Sequence, residues 1–209
     1  MACGAKRRDF QMKQAGSLRI SPHEIAFDID GVVTDTMGSF IRIARERFGI
    51  NGLKKEDITS YWLDECLPVP EEIIEEIIAI ILNDPWQAGL EPLPGAIESL
   101  RALASDSPLV FVTARPVRGP IESWLRERLE LPDDRIEVIA TGRHEAKAEV
   151  LKGLGKGYFV EDHLKTCQEL VRHGIMAIVL DQPWNRNGST PFRRVRSWEE
   201  LSALFAPVS

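Results

Sequence analysis

The segment "EIAFDIDGVVTDT", Glu24–Thr36, ends an apolar run on two aspartates, Asp28 and Asp30, turns at Gly31 and then carries a third, Asp35. Similar short runs rich in Val, Ile and Phe recur downstream as "PLVFVT", "RIEVIA", "GYFVE" and "MAIVL". Each has the length of a strand, and the stretches between them place apolar residues at helical spacing. Helices are expected over 94–104, 117–129, 144–154, 163–173 and 197–205. Five strands alternating with helices predict an α/β fold: a mostly parallel sheet covered on both faces.

Residues 37–93 break that alternation. "MGSFIRIARERFGI" has apolar residues at helical spacing, and "PEEIIEEIIAIILND" opens with proline and two glutamates, as a helix N-terminus prefers. The reading is an all-helical insert placed after the first strand, with "EPLPGAIESLRALA" returning the chain to the main fold. The expected organisation is therefore a basic arm over 1–20, a main domain over 21–36 and 94–209, and the insert over 37–93.

A chain of 209 residues with 44% hydrophobic content is long enough for one substantial core. The net charge of −6 argues against a nucleic-acid or membrane-surface partner and leaves small anionic metabolites as candidates. Lys6, Arg7, Arg8, Lys13 and Arg19 make the arm basic, which is read as a solvated tail. The three cysteines, Cys3, Cys66 and Cys167, form no CxxC or Cys/His pattern. With no apolar run near the ~18 residues of a membrane helix and no secretory signal, a cytoplasmic protein is expected. Oligomeric state is not legible.

The polar punctuation falls at the carboxyl ends of the strands, where parallel α/β sheets bind ligands. The first strand ends on Asp28 and Asp30, the second on Thr113 with Arg115 close behind, and the fourth on Glu161 and Asp162; Lys147 sits in the helix after the third. Carboxylates crowded into one crevice repel unless a cation joins them. Hard Mg²⁺ prefers oxygen ligands, commonly one or two carboxylates with water and phosphate. A carboxylate can also attack phosphorus to form an aspartyl-phosphate, dividing a slow hydrolysis into two easier steps. Lys147 would add positive charge, and Thr113 would donate its hydroxyl to a phosphoryl oxygen.

Together, "FDIDGVVTDT", "VFVTARP", Lys147 in "EAKAEVL" and "YFVEDH" resemble the four ordered motifs of the haloacid dehalogenase-like superfamily. The resemblance implies a three-layer α/β/α core, with the helical insert as a cap over the site. It implies that Asp28 is the nucleophile and Asp30 the general acid/base, and that Asp28, Asp30 through its backbone carbonyl, and Asp162 hold Mg²⁺. Glu161 would support Asp162 from behind or share the metal with it, while Thr113, Ala114, Arg115 and Lys147 would bind the substrate. "LEPLPGAIESL", "VTARP" and "VLDQPWNRN" are similar to segments of the deoxyribonucleotidase-like 5′-nucleotidase group, which implies a nucleoside monophosphate as substrate. That group carries an aromatic after the DGVxxD stretch where this chain has Thr36; Trp62, Phe40 or Trp86 are candidate replacements.

Simpler readings stand beside these. A calcium loop fails, because its pattern would need ligands where Val32 and Ser39 stand. Arg115 suits a phosphate contact or a charge at a helix entry. Lys152 and Lys156 compete with Lys147, and nothing requires His144 or His163 as a base. Asp181, Trp184 and Asn185 suit a pocket rim or a plain turn. "DGVVTDT" is also similar to the motif of β-phosphoglucomutase-type proteins, so a sugar-phosphate phosphatase or phosphomutase is the alternative enzyme. A binding module without turnover is the alternative of another class.

Overall fold

The computed structural model describes residues 19–187 and 190–205; the rest of the basic arm and Cys3 lie outside the described residues. Six strands form one parallel sheet: β1 (Ile25–Phe27), β2 (Leu109–Thr113), β3 (Ile136–Ala140), β4 (Tyr158–Glu161), β5 (Met176–Leu180) and β6 (Arg193–Val195). Their spatial order is β3-β2-β1-β4-β5-β6. The chain thus fills one side of β1 first, then crosses to the other. The crevice beside β1 is where such a sheet binds ligands.

Side chains alternate across the strands, so each strand feeds two cores. Ile25, Phe27, Leu109, Phe111 and Val160 pack on one face with Trp124, Trp198 and Leu201. Ala26, Val110, Val112, Phe159 and Val179 pack on the other with Ala148, Leu151, Cys167 and Leu170. The first face is covered by α3 (Ala96–Ala104), α4 (Gly119–Leu129) and α7 (Trp198–Ser202), the second by α5 (Lys147–Gly153) and α6 (Leu164–Arg172). In α4 the buried Ile121, Trp124, Leu125 and Leu129 recur at helical spacing, which fastens one stripe to the sheet.

Between β1 and β2 the described chain forms α1 (Thr36–Phe48), α2 (Glu71–Asn83) and 3-10 turns at Lys55–Asp57 and Leu63–Glu65. Asp35 caps α1 by accepting from the Gly38 N–H, and Gly49, at φ 67°, ends it in the left-handed region. Ile74, Ile77 and Ile81 give α2 its buried stripe. No described helix is long and apolar enough to cross a membrane.

Several sequence expectations are corrected. The sheet has six strands rather than five, because Arg193–Val195 pairs along β5. Its two arginines hide it from a hydrophobic reading, as charged residues commonly do on an edge strand. The last helix covers Trp198–Ser202 rather than 197–205, and His144–Ala146 is a 3-10 turn ahead of α5. The first strand stops at Phe27, although the Asp28 N–H still donates to the Val160 carbonyl at 2.9 Å. Asp28 and Asp30 therefore lie in the loop after the strand rather than at its end.

Candidate active site

That loop is a tight coil around the Ile29 carbonyl, which accepts from the N–H groups of Val33 at 2.8 Å and Thr34 at 3.0 Å. Gly31 makes the turn at φ 71°, and a Cβ there would lie 2.2 Å from Asp162 Oδ2. Glycine is required twice, by the backbone angle and by the close approach of the β4 carboxylate. Gly31→Ala is expected to lower stability by about 1–3 kcal/mol, read from urea unfolding. An unchanged midpoint would mean that the loop relaxes freely.

At the floor of the crevice Lys147 is fully buried, its Nζ 2.8 Å from Asp28 Oδ2 and 2.9 Å from Glu161 Oε2. The Ile29 N–H donates to Asp28 Oδ1 at 2.8 Å. Glu161 Oε1 accepts from the N–H groups of Asp162 and His163, at 3.1 and 3.2 Å. Asp162 Oδ2 accepts from Trp184 Nε1 at 2.9 Å, and Asn185 Nδ2 donates to the Asp162 carbonyl. Asp162 Oδ1 is buried with no hydrogen-bond partner among the described residues.

Three buried carboxylates against one ammonium leave a local excess of negative charge. Burial raises the pKa of Asp28 well above the usual carboxylate range, with Glu161 adding to it and Lys147 only partly opposing it. Asp162 is raised by burial, then by Glu161 and Asp28. For Glu161 burial pushes the same way, but Lys147 together with hydrogen bonds to Asp28 and Asp162 outweighs it and draws the value down to about 2. One oxygen from each of Asp28, Glu161 and Asp162 lies within 4.8 Å of the others. An orphaned carboxylate oxygen beside that cluster, all of it hard oxygen, fits a divalent cation such as Mg²⁺.

Asp30 points elsewhere. Arg115 Nε donates to its Oδ2 at 2.8 Å and Arg115 Nη2 to its Oδ1 at 2.7 Å, while Thr36 Oγ1 donates to Oδ1 at 2.8 Å. Burial alone would raise this carboxyl, but the guanidinium and the hydroxyl outweigh it and hold the pKa below its ordinary value. The Asp30 side chain is outside the three-carboxylate cluster. Thr113 is buried at the end of β2, and its Oγ1 accepts from the Arg115 N–H at 3.2 Å.

Asp28, Asp30, Thr113, Ala114, Arg115 and Asp162 line one cavity of about 560 Å³. Lys147 and Glu161 lie behind its floor. Its outer wall comes from the helical segment and is largely apolar, with Ile58, Leu63, Ile74 and Ile78 among the lining residues. Asp64, Glu71 and Glu75 add carboxylates there, none with an ion-pair partner among the described residues. Trp62 is at the cavity and 53% exposed, whereas Phe40 is fully buried in the core. Trp86 bonds Glu127 and is not among the lining residues. Neither Phe40 nor Trp86 lines the cavity. Lys156 donates to the His23 carbonyl, away from the site.

Sequence reasoning missed two features. One is the Arg115 fork on Asp30, since residues 85 apart in the chain give no local signal. The other is Tyr61, whose ring stacks on His163 at 3.9 Å and whose hydroxyl lies 3.2 Å from His144 Nε2. Both histidines thus pack beside an aromatic from the helical segment, and burial holds His163 down to about 4. Trp184 and Asn185 combine both readings offered for them: the turn is built and its side chains brace Asp162.

Residues 22–208 match the family model described as 5′ nucleotidase, deoxy (pyrimidine), cytosolic type C protein. A nucleotidase of Clostridium acetobutylicum is 26% identical over 187 residues, covering 86% of this chain and 92% of that protein. The mitochondrial 5′(3′)-deoxyribonucleotidase of Homo sapiens is 32% identical over 97 residues, 45% of this chain and 42% of that protein. The match thus spans less than half of the human enzyme's length. Among solved structures, a haloacid dehalogenase-like family hydrolase from Streptococcus pneumoniae superposes with a TM-score of 0.57 at 15% identity, over 86% of this chain and 96% of that one. The fold is haloacid dehalogenase-like.

Proposed function

Because the chain belongs to the cytosolic type C deoxy (pyrimidine) 5′ nucleotidase family, we propose that it is a Mg²⁺-dependent phosphomonoesterase that dephosphorylates nucleoside monophosphates through an aspartyl-phosphate. The observation that carries this reading is the buried Asp28–Lys147–Glu161–Asp162 cluster, two of whose carboxylates line a cavity together with Asp30 and Thr113. Asp28 and Asp162, with the Asp30 carbonyl, would hold the metal, which when bound neutralises carboxylate and phosphoryl charge.

This chain's own residues divide the remaining work. An Asp28 carboxylate oxygen attacks phosphorus as the bond to the leaving oxygen breaks, and that oxygen takes its proton from Asp30, which must first be protonated against the pull of Arg115 and Thr36 toward its ionised form. Asp30 then takes a proton from water as that water attacks the phosphorus of the aspartyl-phosphate, releasing inorganic phosphate and restoring Asp28. Lys147 fixes the Asp28 carboxylate. The Thr113 hydroxyl and the Ala114 N–H hold phosphoryl oxygens. Residues 37–93 act as a cap that excludes water while the intermediate exists. Thr36, in place of an aromatic, bonds Asp30, so base contacts fall to the apolar wall and Trp62.

That wall favours a nucleoside over a polyol, and its three carboxylates oppose a second anionic group. A panel with Mg²⁺ should release phosphate from nucleoside 5′-monophosphates and at least about tenfold more slowly from nucleoside 3′,5′-bisphosphates, a gap that narrows as salt screens the charges. EDTA should stop all turnover. Faster release from sugar phosphates would favour the sugar-phosphate reading. Inertness in every metal and substrate would favour the binding module.

A further inference from the structure

The side chain of Arg115 is 1% exposed, yet its three nitrogens make four hydrogen bonds to two parts of the molecule. Nε and Nη2 form a fork on the two oxygens of Asp30, at 2.8 and 2.7 Å. Nη1 donates to the carbonyls of Ile81 and Leu82, at 3.3 and 3.4 Å, near the carboxyl end of α2. Those carbonyls lie in the last turn, where a helix carries unsatisfied acceptors and a partial negative charge that draws a cation. Arg115 therefore joins the loop of Asp30 to the helical segment that walls the cavity. With its fork already occupied, little of the guanidinium is left for a phosphoryl group.

We propose that Arg115 is a positioning residue that orients the Asp30 carboxyl toward the leaving oxygen and ties that orientation to the seating of α2. This rests on the phosphatase reading and goes beyond it. Arginine suits the role because a rigid planar fork fixes both carboxylate oxygens, which the point charge of lysine cannot do. The orientation matters most where the leaving oxygen needs a proton. An alkoxide leaving from a nucleoside monophosphate needs one; nitrophenolate hardly does.

The test compares kcat/KM, which reports the step that expels the leaving group, for a nucleoside 5′-monophosphate and for p-nitrophenyl phosphate. Asp30→Asn should lower the first by about 100-fold or more and the second by under about tenfold. Arg115→Met should reproduce that inequality, and Arg115→Lys should recover only part of it. Combining Arg115→Met with Asp30→Asn should add little to Asp30→Asn alone, since the two act as a unit. Equal losses on both esters, or full additivity in the double variant, would overturn the proposal. Should Arg115→Met not fold, Arg115→Lys decides on the same ratio. Wild-type protein inert toward both esters would instead overturn the phosphatase reading and this proposal with it, and an Asp30→Asn variant without the inequality would remove Asp30 as the acid.

Discussion

Asp28→Asn is expected to lose on the order of 10⁴-fold or more in turnover while remaining as stable as the wild type, or more stable, in EDTA. The two halves have one cause. Burial and the Glu161 carboxylate both disfavour an ionised Asp28, and Lys147 offsets only part of that. The amide removes a buried charge that the fold tolerates poorly, keeps the side chain's shape, and leaves Lys147 its second partner at 2.9 Å. It also removes the nucleophile. Urea unfolding and phosphate release measured on the same preparation would show the separation. A variant that keeps a tenth of its activity, or one that unfolds, would contradict the assignment.

Lys147→Met should fail in the opposite way, losing both activity and stability. Its ammonium is the single cation hydrogen-bonded to Asp28 and Glu161 among the described residues, and it is fully buried. Its own pKa is raised: burial would lower it, but the two carboxylates more than reverse that. Removing one partner of a buried pair commonly costs about 3–5 kcal/mol, because the other charge is left without compensation. Here two carboxylates would be left. The midpoint in EDTA should fall accordingly, and added Mg²⁺ should restore part of it, since a cation that binds only the folded state stabilises by mass action. A variant of wild-type stability would show that the carboxylates are protonated or solvated and that Lys147 does not hold them.

What was readable in the sequence follows from physical range. Parallel strands buried on both faces print as continuous apolar runs, so β1, β2, β4 and β5 stand out from composition alone, and β3, an edge strand with Glu137 exposed, stands out by its Ile and Val. β6 does not, because an edge strand of "RRV" carries no such run. Asp28, Thr113 and Asp162 were legible because each stands at the end of a strand of a parallel sheet or one residue past it, and strand ends are brought to one edge by topology. Lys147 was singled out by its helix, but only the fold explains why it is buried where Lys152 and Lys156 are not. Arg115 was read as a phosphate contact or a helix-entry charge, whereas its side chain is spent on Asp30 and the end of α2. Contacts across 85 residues leave no periodicity to detect. Tyr61 against His163 is hidden for the same reason.

The central claim is that the Asp28 carboxylate becomes esterified to phosphate during each turnover. Acid-quenching the protein during hydrolysis of a nucleoside monophosphate with Mg²⁺, reducing with borohydride and mapping the peptides by mass spectrometry tests it directly, because an aspartyl-phosphate is reduced to homoserine and a free aspartate is not. The proposed mechanism predicts homoserine at position 28, present only with substrate and lost in EDTA. Turnover with an unmodified aspartate there, or with the reduced residue at another position, would contradict it.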